Sequence, residues 1–110
     1  MKTITVPETI LLHDSNGLPV LDRDGNPVSV SFKQFVTGTL LVDPKFGKTM
    51  ADILSAVEIK RKVADATDKL ELDNSDWEKL NAVAAEPSAG YNPGVVVQLV
   101  SFLTAIKDAK

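Results

Sequence analysis

The apolar positions of the chain change period near Ser31, from two residues before it to 3.6 after it, which divides a β region from a helical one. Ile4, Val6, Ile10 and Leu12 share one parity, the mark of a half-buried strand. Pro7 interrupts that run and, having no amide to donate, predicts a bulge or an edge position. "NGLPV" at Asn16 to Val20 and "DGNPV" at Asp24 to Val28 then repeat one pattern, a turn followed by Pro-Val. Asn-Gly and Asp-Gly supply the positive φ angles of tight hairpin turns, and Pro19 and Pro27 stand where strands begin. The third run, "VSVSF", sets Val28, Val30 and Phe32 against Ser29 and Ser31. Together these segments predict a three-strand antiparallel meander over residues 1–31.

Ser31 and Gln34 have the spacing of a capping box, in which each side chain satisfies the other's backbone amide. A first helix follows from Phe32 to about Val42, burying Phe32, Phe35, Val36 and Leu40, with Gly38 weakening it by roughly 1 kcal/mol relative to Ala. Pro44 and Gly47 mark the loop "DPKFGK". Thr49 and Asp52 cap a second helix from Met50 to about Lys69. This helix carries two apolar stripes. Met50, Ile53, Leu54 and Val57 form one; Ala56, Ile59, Val63, Ala66 and Leu70 form the other. A helix apolar on two faces needs two neighbours. The first stripe is assigned to the chain's own core, and Ile59 and Val63 to contact with another polypeptide, with Tyr91 beside them.

"LELDN" reads as a short extended link. Ser75 and Glu78 then have capping-box spacing for a third helix starting at Asp76, with Trp77, Leu80, Val83 and Ala84 on one face and Pro87 as its stop. The loop "EPSAGYNPG" surrounds Tyr91. Asn92 and Pro93 open a fourth helix through Val95, Val96, Leu99, Phe102, Leu103 and Ile106, a spacing that persists for about four turns. The fold class is therefore α+β: a hairpin region over 1–31 and about four helices over 32–110, forming a single domain over 1–110.

Composition narrows the function classes. At 110 residues, 44% apolar and 25% charged, the chain suits one globular unit and fits neither a disordered tail nor a fibre. The absence of cysteine rules out disulfides, thiolate nucleophiles and Cys-ligated metals. "MKTITVPETILLHD" lacks the unbroken apolar core of a signal peptide, and no run approaches the roughly 18 apolar residues of a membrane span. A cytoplasmic, reducing location is expected. A net charge of −3 argues against a large nucleic-acid footprint.

The candidate chemistry is sparse. Asp22, Asp24 and Asn26 match the first three ligand positions of a calcium loop, but Pro27 stands where its glycine belongs and Lys33 where its closing glutamate belongs. A turn is the better account. His13, the only histidine, sits at a strand end with no nameable partner for general-base work. The pairs Asp22/Asp24 and Asp65/Asp68 read as solvated charge. Lys60, Arg61 and Lys62 form the densest basic run, yet successive helical residues point in different directions. The glycines fit no phosphate-binding loop, so neither cofactor nor metal is expected and no small-molecule substrate is evident. Trp77 reads as a core anchor. Tyr91, in its Pro/Gly loop, is either a plug over the domain or a partner contact.

The Gly-x-Pro-Val hairpin region, the small helices and the segment "WEKLNAVAAEPSAGYNPGVVVQLVSFLTAI" resemble small proteins encoded in bacteriophage structural and assembly gene clusters. That resemblance implies a non-enzymatic virion or assembly component, such as a tail-assembly chaperone, connector or minor structural protein, acting by contact with proteins or with copies of itself. It carries no functional residue with it. Two alternatives stand beside it: a regulatory nucleic-acid-binding protein using Lys60 to Lys62, and an enzyme whose site is shared between subunits.

Overall fold

A computed structural model describes residues 1–86 and 97–110. Its strands are β1 (Lys2–Thr5), β2 (Ile10–Leu11), β3 (Ser29–Val30) and β4 (Lys69–Leu72). Its helices are α1 (Phe32–Phe35), α2 (Met50–Asp65), α3 (Asn74–Ala85) and α4 (Val100–Lys107). The architecture is α+β, with two antiparallel sheets of two strands each among the described residues.

The expected three-strand meander over residues 1–31 does not form. Pro7 ends β1 instead of bulging it, and β1 pairs with the distant β4 in the register Ile4↔Leu70 and Lys2↔Leu72. On the opposite edge of β1, Thr3 and Lys110 exchange backbone hydrogen bonds of 2.9 and 3.1 Å. β1 is thus hydrogen-bonded on both edges, and Ile4 is fully buried. The second sheet pairs β2 with β3, Ile10 opposite Val30.

The segment between β2 and β3 is tied within itself by two isolated bridges, His13↔Pro19 and Leu21↔Pro27. Its two turns are copies of each other at a spacing of eight residues. Asp14 Oδ1 accepts from the amides of Asn16 and Leu18 at 2.9 and 3.0 Å, and Asp22 Oδ1 accepts from those of Asp24 and Asn26 at the same distances. Gly17 and Gly25 have φ of 78° and 80° while Asn16 and Asp24 keep negative φ, so each is a three-residue loop closed by a glycine in place of the expected two-residue turn. The repeat closes on itself: the Leu12 amide donates to the Val28 carbonyl, Val28 to Val20, and Val20 to Leu12, at 2.8 to 3.0 Å. Three short extended segments bonded in a ring leave no flat sheet, which is why the meander is absent.

The Ser31–Gln34 capping box is present as expected, and Phe32, Phe35, Val36 and Leu40 are all buried. After one α-helical turn the backbone widens into a π-helical turn over Val36–Leu40, in which the Leu41 amide reaches back to the Val36 carbonyl. Gly38 lies within that turn, where its lack of a side chain eases the departure from α geometry. Pro44–Phe46 then makes a single 3-10 turn capped by Asp43, which drives Phe46 into the core.

α2 stops at Asp65, short of the expected Lys69. Lys69 to Leu72 alternate exposed and buried, a period-two pattern that β1 recruits, so Leu70 belongs to a strand and not to a helical stripe. α3 begins at Asn74, with Asp73 in the N-cap position and the Trp77 amide donating to the Asp73 carbonyl at 2.9 Å. Ser75 therefore lies inside the first turn and caps nothing. The reason is spatial: Leu72 is pinned by β1, and the chain turns into the helix one residue later.

α4 packs across the β1 side of α3. Phe102 meets Phe32 edge-on, with ring centres 5.7 Å apart, and Phe35 at 5.6 Å. The indole Nε1 of Trp77 donates to the Ile106 carbonyl at 2.9 Å, and the Lys2 ammonium sits 4.7 Å from the centre of the indole ring. Trp77 is half-buried and ties α3 to α4. The expected opening of the fourth helix at Asn92, its Val95 and Val96, and the loop around Tyr91 lie outside the described residues.

Candidate interaction surface

α2 is held by its amino-terminal cap and by its carboxy-terminal half. The Thr49 hydroxyl accepts from the Asp52 amide at 3.2 Å and donates to the Asp52 carboxylate at 2.7 Å, while that carboxylate accepts from the Thr49 amide at 3.2 Å. Lys79 on α3 reaches across to Asp52 and to Ser55 Oγ, both at 3.2 Å. These bonds, first from Thr49 and then from Lys79, hold the Asp52 carboxyl below the usual carboxylate value.

The stripe of α2 that faces inward is the reverse of the one expected. Ile59 and Val63 are 0% and 2% exposed and sit in the same core as Leu70, Leu72 and Leu80. They are not available to a partner in the folded chain. Their half of the helix lies against β4, so its β-branched side chains fill the layer beneath Leu70 and Leu72. The stripe that points outward is the other one: Met50 is 70% exposed, Ile53 49%, Leu54 62% and Val57 59%. Tyr91, the third residue expected at a contact, lies outside the described residues.

The outward stripe does not stand alone. Between α2 and the 3-10 turn runs a groove of about 380 Å³, floored by Phe46, Leu41 and Ala56 and walled by Val42, Ile53 and Val57, with Asp43, Lys48, Asp52 and Lys60 also lining it. Val42 is itself 63% exposed. On the helix circumference, Met50 and Leu54 form a ridge on the side away from the groove, while Ile53 and Val57 form its wall. Ridge and groove together form one contiguous, largely apolar surface, and such patches are often functional.

Charge borders this surface on the carboxy-terminal side. Arg61 pairs with Glu58, which lowers the Glu58 carboxyl and raises the guanidinium. Lys62 lies 3.9 Å from Glu58 and 3.8 Å from Asp73, turned toward α3. Lys60 borders the groove and makes no ion pair among the described residues. The basic run thus splits in three directions, as the helical spacing implies, and forms no single patch.

The other singled-out residues have structural places. The Asp22 carboxylate is spent on two backbone amides of its own turn, as is that of Asp14. His13 is held through its backbone, its amide donating to Gln98 Oε1 at 2.7 Å and its carbonyl accepting from Gln98 Nε2 at 2.8 Å. Among the described residues no three His, Asp or Glu side chains cluster as metal ligands would, and no helix is long and apolar enough to cross a membrane. No family model, curated protein or solved structure matches the chain.

Proposed function

We propose that the protein works by non-catalytic contact with another polypeptide, through the outward face of α2 and the groove beside it. The observation that carries this is the exposure of Met50, Ile53, Leu54 and Val57 in helical register, next to an apolar groove that Val42 extends. Scattered surface apolar residues are ordinary, whereas a contiguous ridge and groove costs solubility unless something covers it. The resemblance to phage structural and assembly proteins supplies the setting: a virion or assembly component such as a chaperone, connector or minor structural protein, found in the host cell or the particle.

The test replaces Leu54 and Val57 together with glutamate. Both are exposed, so the variant keeps its unfolding midpoint while losing association, measured as sedimenting mass alone and with the protein complex isolated from its source. Unchanged association in both preparations refutes the contact face.

A further inference from the structure

We propose that Asn16–Gly17 is a site of self-modification, where Asn16 loses ammonia through a succinimide, and that Asp14 guards it by clamping the turn. The Gly17 backbone nitrogen forms a bond to Asn16 Cγ, the side-chain nitrogen leaves, and the proton given up by Gly17 departs with it as ammonia. Water then opens the five-membered imide at either carbonyl, leaving aspartate or isoaspartate at position 16. The closure needs a carboxamide free to turn and a following nitrogen that no side chain crowds. Of the five asparagines, Asn16 alone precedes a glycine. Asn26 and Asn92 precede prolines, whose nitrogen has no proton to give up, and Asn74 and Asn81 lie in α3, where helical bonds hold the backbone. The Asn16 carboxamide makes no hydrogen bond among the described residues. The side-chain face of Gly17 is open, with nothing within 4 Å of where a Cβ would stand.

The same turn holds the reaction back. The Gly17 amide donates the proton that the attack must remove to the Asp14 carbonyl, at 3.0 Å. Asp14 Oδ1 accepts from the amides of Asn16 and Leu18 at 2.9 and 3.0 Å, and the Asp14 amide donates to the Leu18 carbonyl at 2.8 Å. Asp14 therefore fixes the backbone on both sides of the reacting pair. Residues 13–19 are all exposed and lie outside the core cluster, so this loop opens without unfolding the body, and ring closure proceeds through those openings. Modification adds a negative charge to a chain of net −3. Isoaspartate also inserts a methylene into the backbone, which shifts Leu18 away from Asp14 and weakens the Val20–Leu12 bond that the turn closes. The second turn is a built-in control: Asp22 clamps Asp24 and Asn26 at the same distances, but the Asp24 carboxyl must expel water in place of ammonia, a slower closure.

The experiment ages the full chain in mildly alkaline buffer and follows position 16 by peptide mass spectrometry, with Trp77 emission as the check on folding. Folded wild type converts slowly at Asn16, giving aspartate and isoaspartate. Asp14→Ala speeds conversion about tenfold, equivalent to about 1.4 kcal/mol of lost hydrogen bonding. Asp14→Asn keeps an acceptor oxygen without the charge and stays near the wild-type rate, as does Asp22→Ala. Amide exchange at Gly17 rises with Asp14→Ala by the same factor as conversion, which ties the effect to this turn even if the body also loosens. When Asp24→Asn places the same dipeptide in the second turn, Asp22→Ala accelerates conversion at position 24 and Asp14→Ala does not. In unfolding urea, wild type and Asp14→Ala convert equally fast. A folded wild type that never converts at position 16 overturns the site. Equal rates in folded wild type and Asp14→Ala overturn the clamp, as does equal acceleration by Asp14→Asn and Asp14→Ala, which would make charge the guard.

Discussion

Gly47→Ala probes the junction that orients α2. Gly47 has φ 98° and ψ 164°, a conformation essentially reserved for glycine, and forcing a side chain into it costs about 1–3 kcal/mol. The new Cβ would also collide with the Asp52 carboxylate. That carboxylate ends a short side chain and must swing away, surrendering its bonds to the Thr49 amide and hydroxyl. The N-cap bond itself, from the Asp52 amide to the Thr49 hydroxyl, does not involve that carboxylate. The Lys79 ion pair is partly solvated and adds little. The loss is therefore set by the backbone strain of about 1–3 kcal/mol, read as a lower urea midpoint at unchanged slope, with the single tryptophan, Trp77, as fluorescent probe. In the Gly47→Ala background, Asp52→Ala costs less than in wild type, because its bonds are already broken. A Gly47→Ala midpoint within about 0.5 kcal/mol of wild type refutes the reasoning.

Ser31→Ala, which removes a true cap, lowers unfolding stability by about 0.5–2 kcal/mol, whereas Ser75→Ala stays within about 0.5 kcal/mol; the reverse order in urea titrations would return the start of α3 to Asp76. Asp52 titrates below its unfolded value of about 4, so its contribution is complete above that pH and fades as the pH falls through the folded value. Asp52→Asn accordingly flattens the acid limb of the stability curve, and an unchanged limb contradicts the cap geometry. Asp22→Ala loosens the 22–26 turn, seen as faster amide exchange at Asp24 and Asn26, and wild type gives no saturable heat with calcium; binding tighter than about 1 mM, the weak end of such sites, would reopen the cation reading.

Local chemistry was legible where it acts over a few residues. Both real capping boxes, at Ser31/Gln34 and Thr49/Asp52, follow from spacing alone, as do the Gly17 and Gly25 turns and the buried face of α1. Ser75/Glu78 has the same spacing and fails, because β1 fixes where β4 ends and so where α3 can begin. The pairing of β1 with β4 joins residues near the start of the chain to residues past its middle, a choice that local periodicity does not encode. The candidate surface shows the limit most clearly. Each stripe of α2 is apolar over half the helix: the outer one becomes Arg61 and Ala64, and the inner one begins as Asp52 and Ser55. Pattern alone weighs them equally. The decision comes from tertiary packing: Ile59 and Val63 fill the core with Leu70, Leu72 and Leu80, and Lys79 on α3 bonds Asp52 and Ser55 on the same side of the helix.

The orientation of α2 underlies the contact face, and thiol labelling measures it directly in a chain with no cysteine of its own. Single cysteines at Leu54, Val57, Ile59 and Val63 are each reacted with a thiol reagent under native conditions at low concentration. The predicted result is rapid labelling at positions 54 and 57, slowed when the chain associates, and labelling at 59 and 63 only as fast as the protein unfolds. Equal rates at 54 and 59, or protection at 54 in a dilute monomer, would contradict the account.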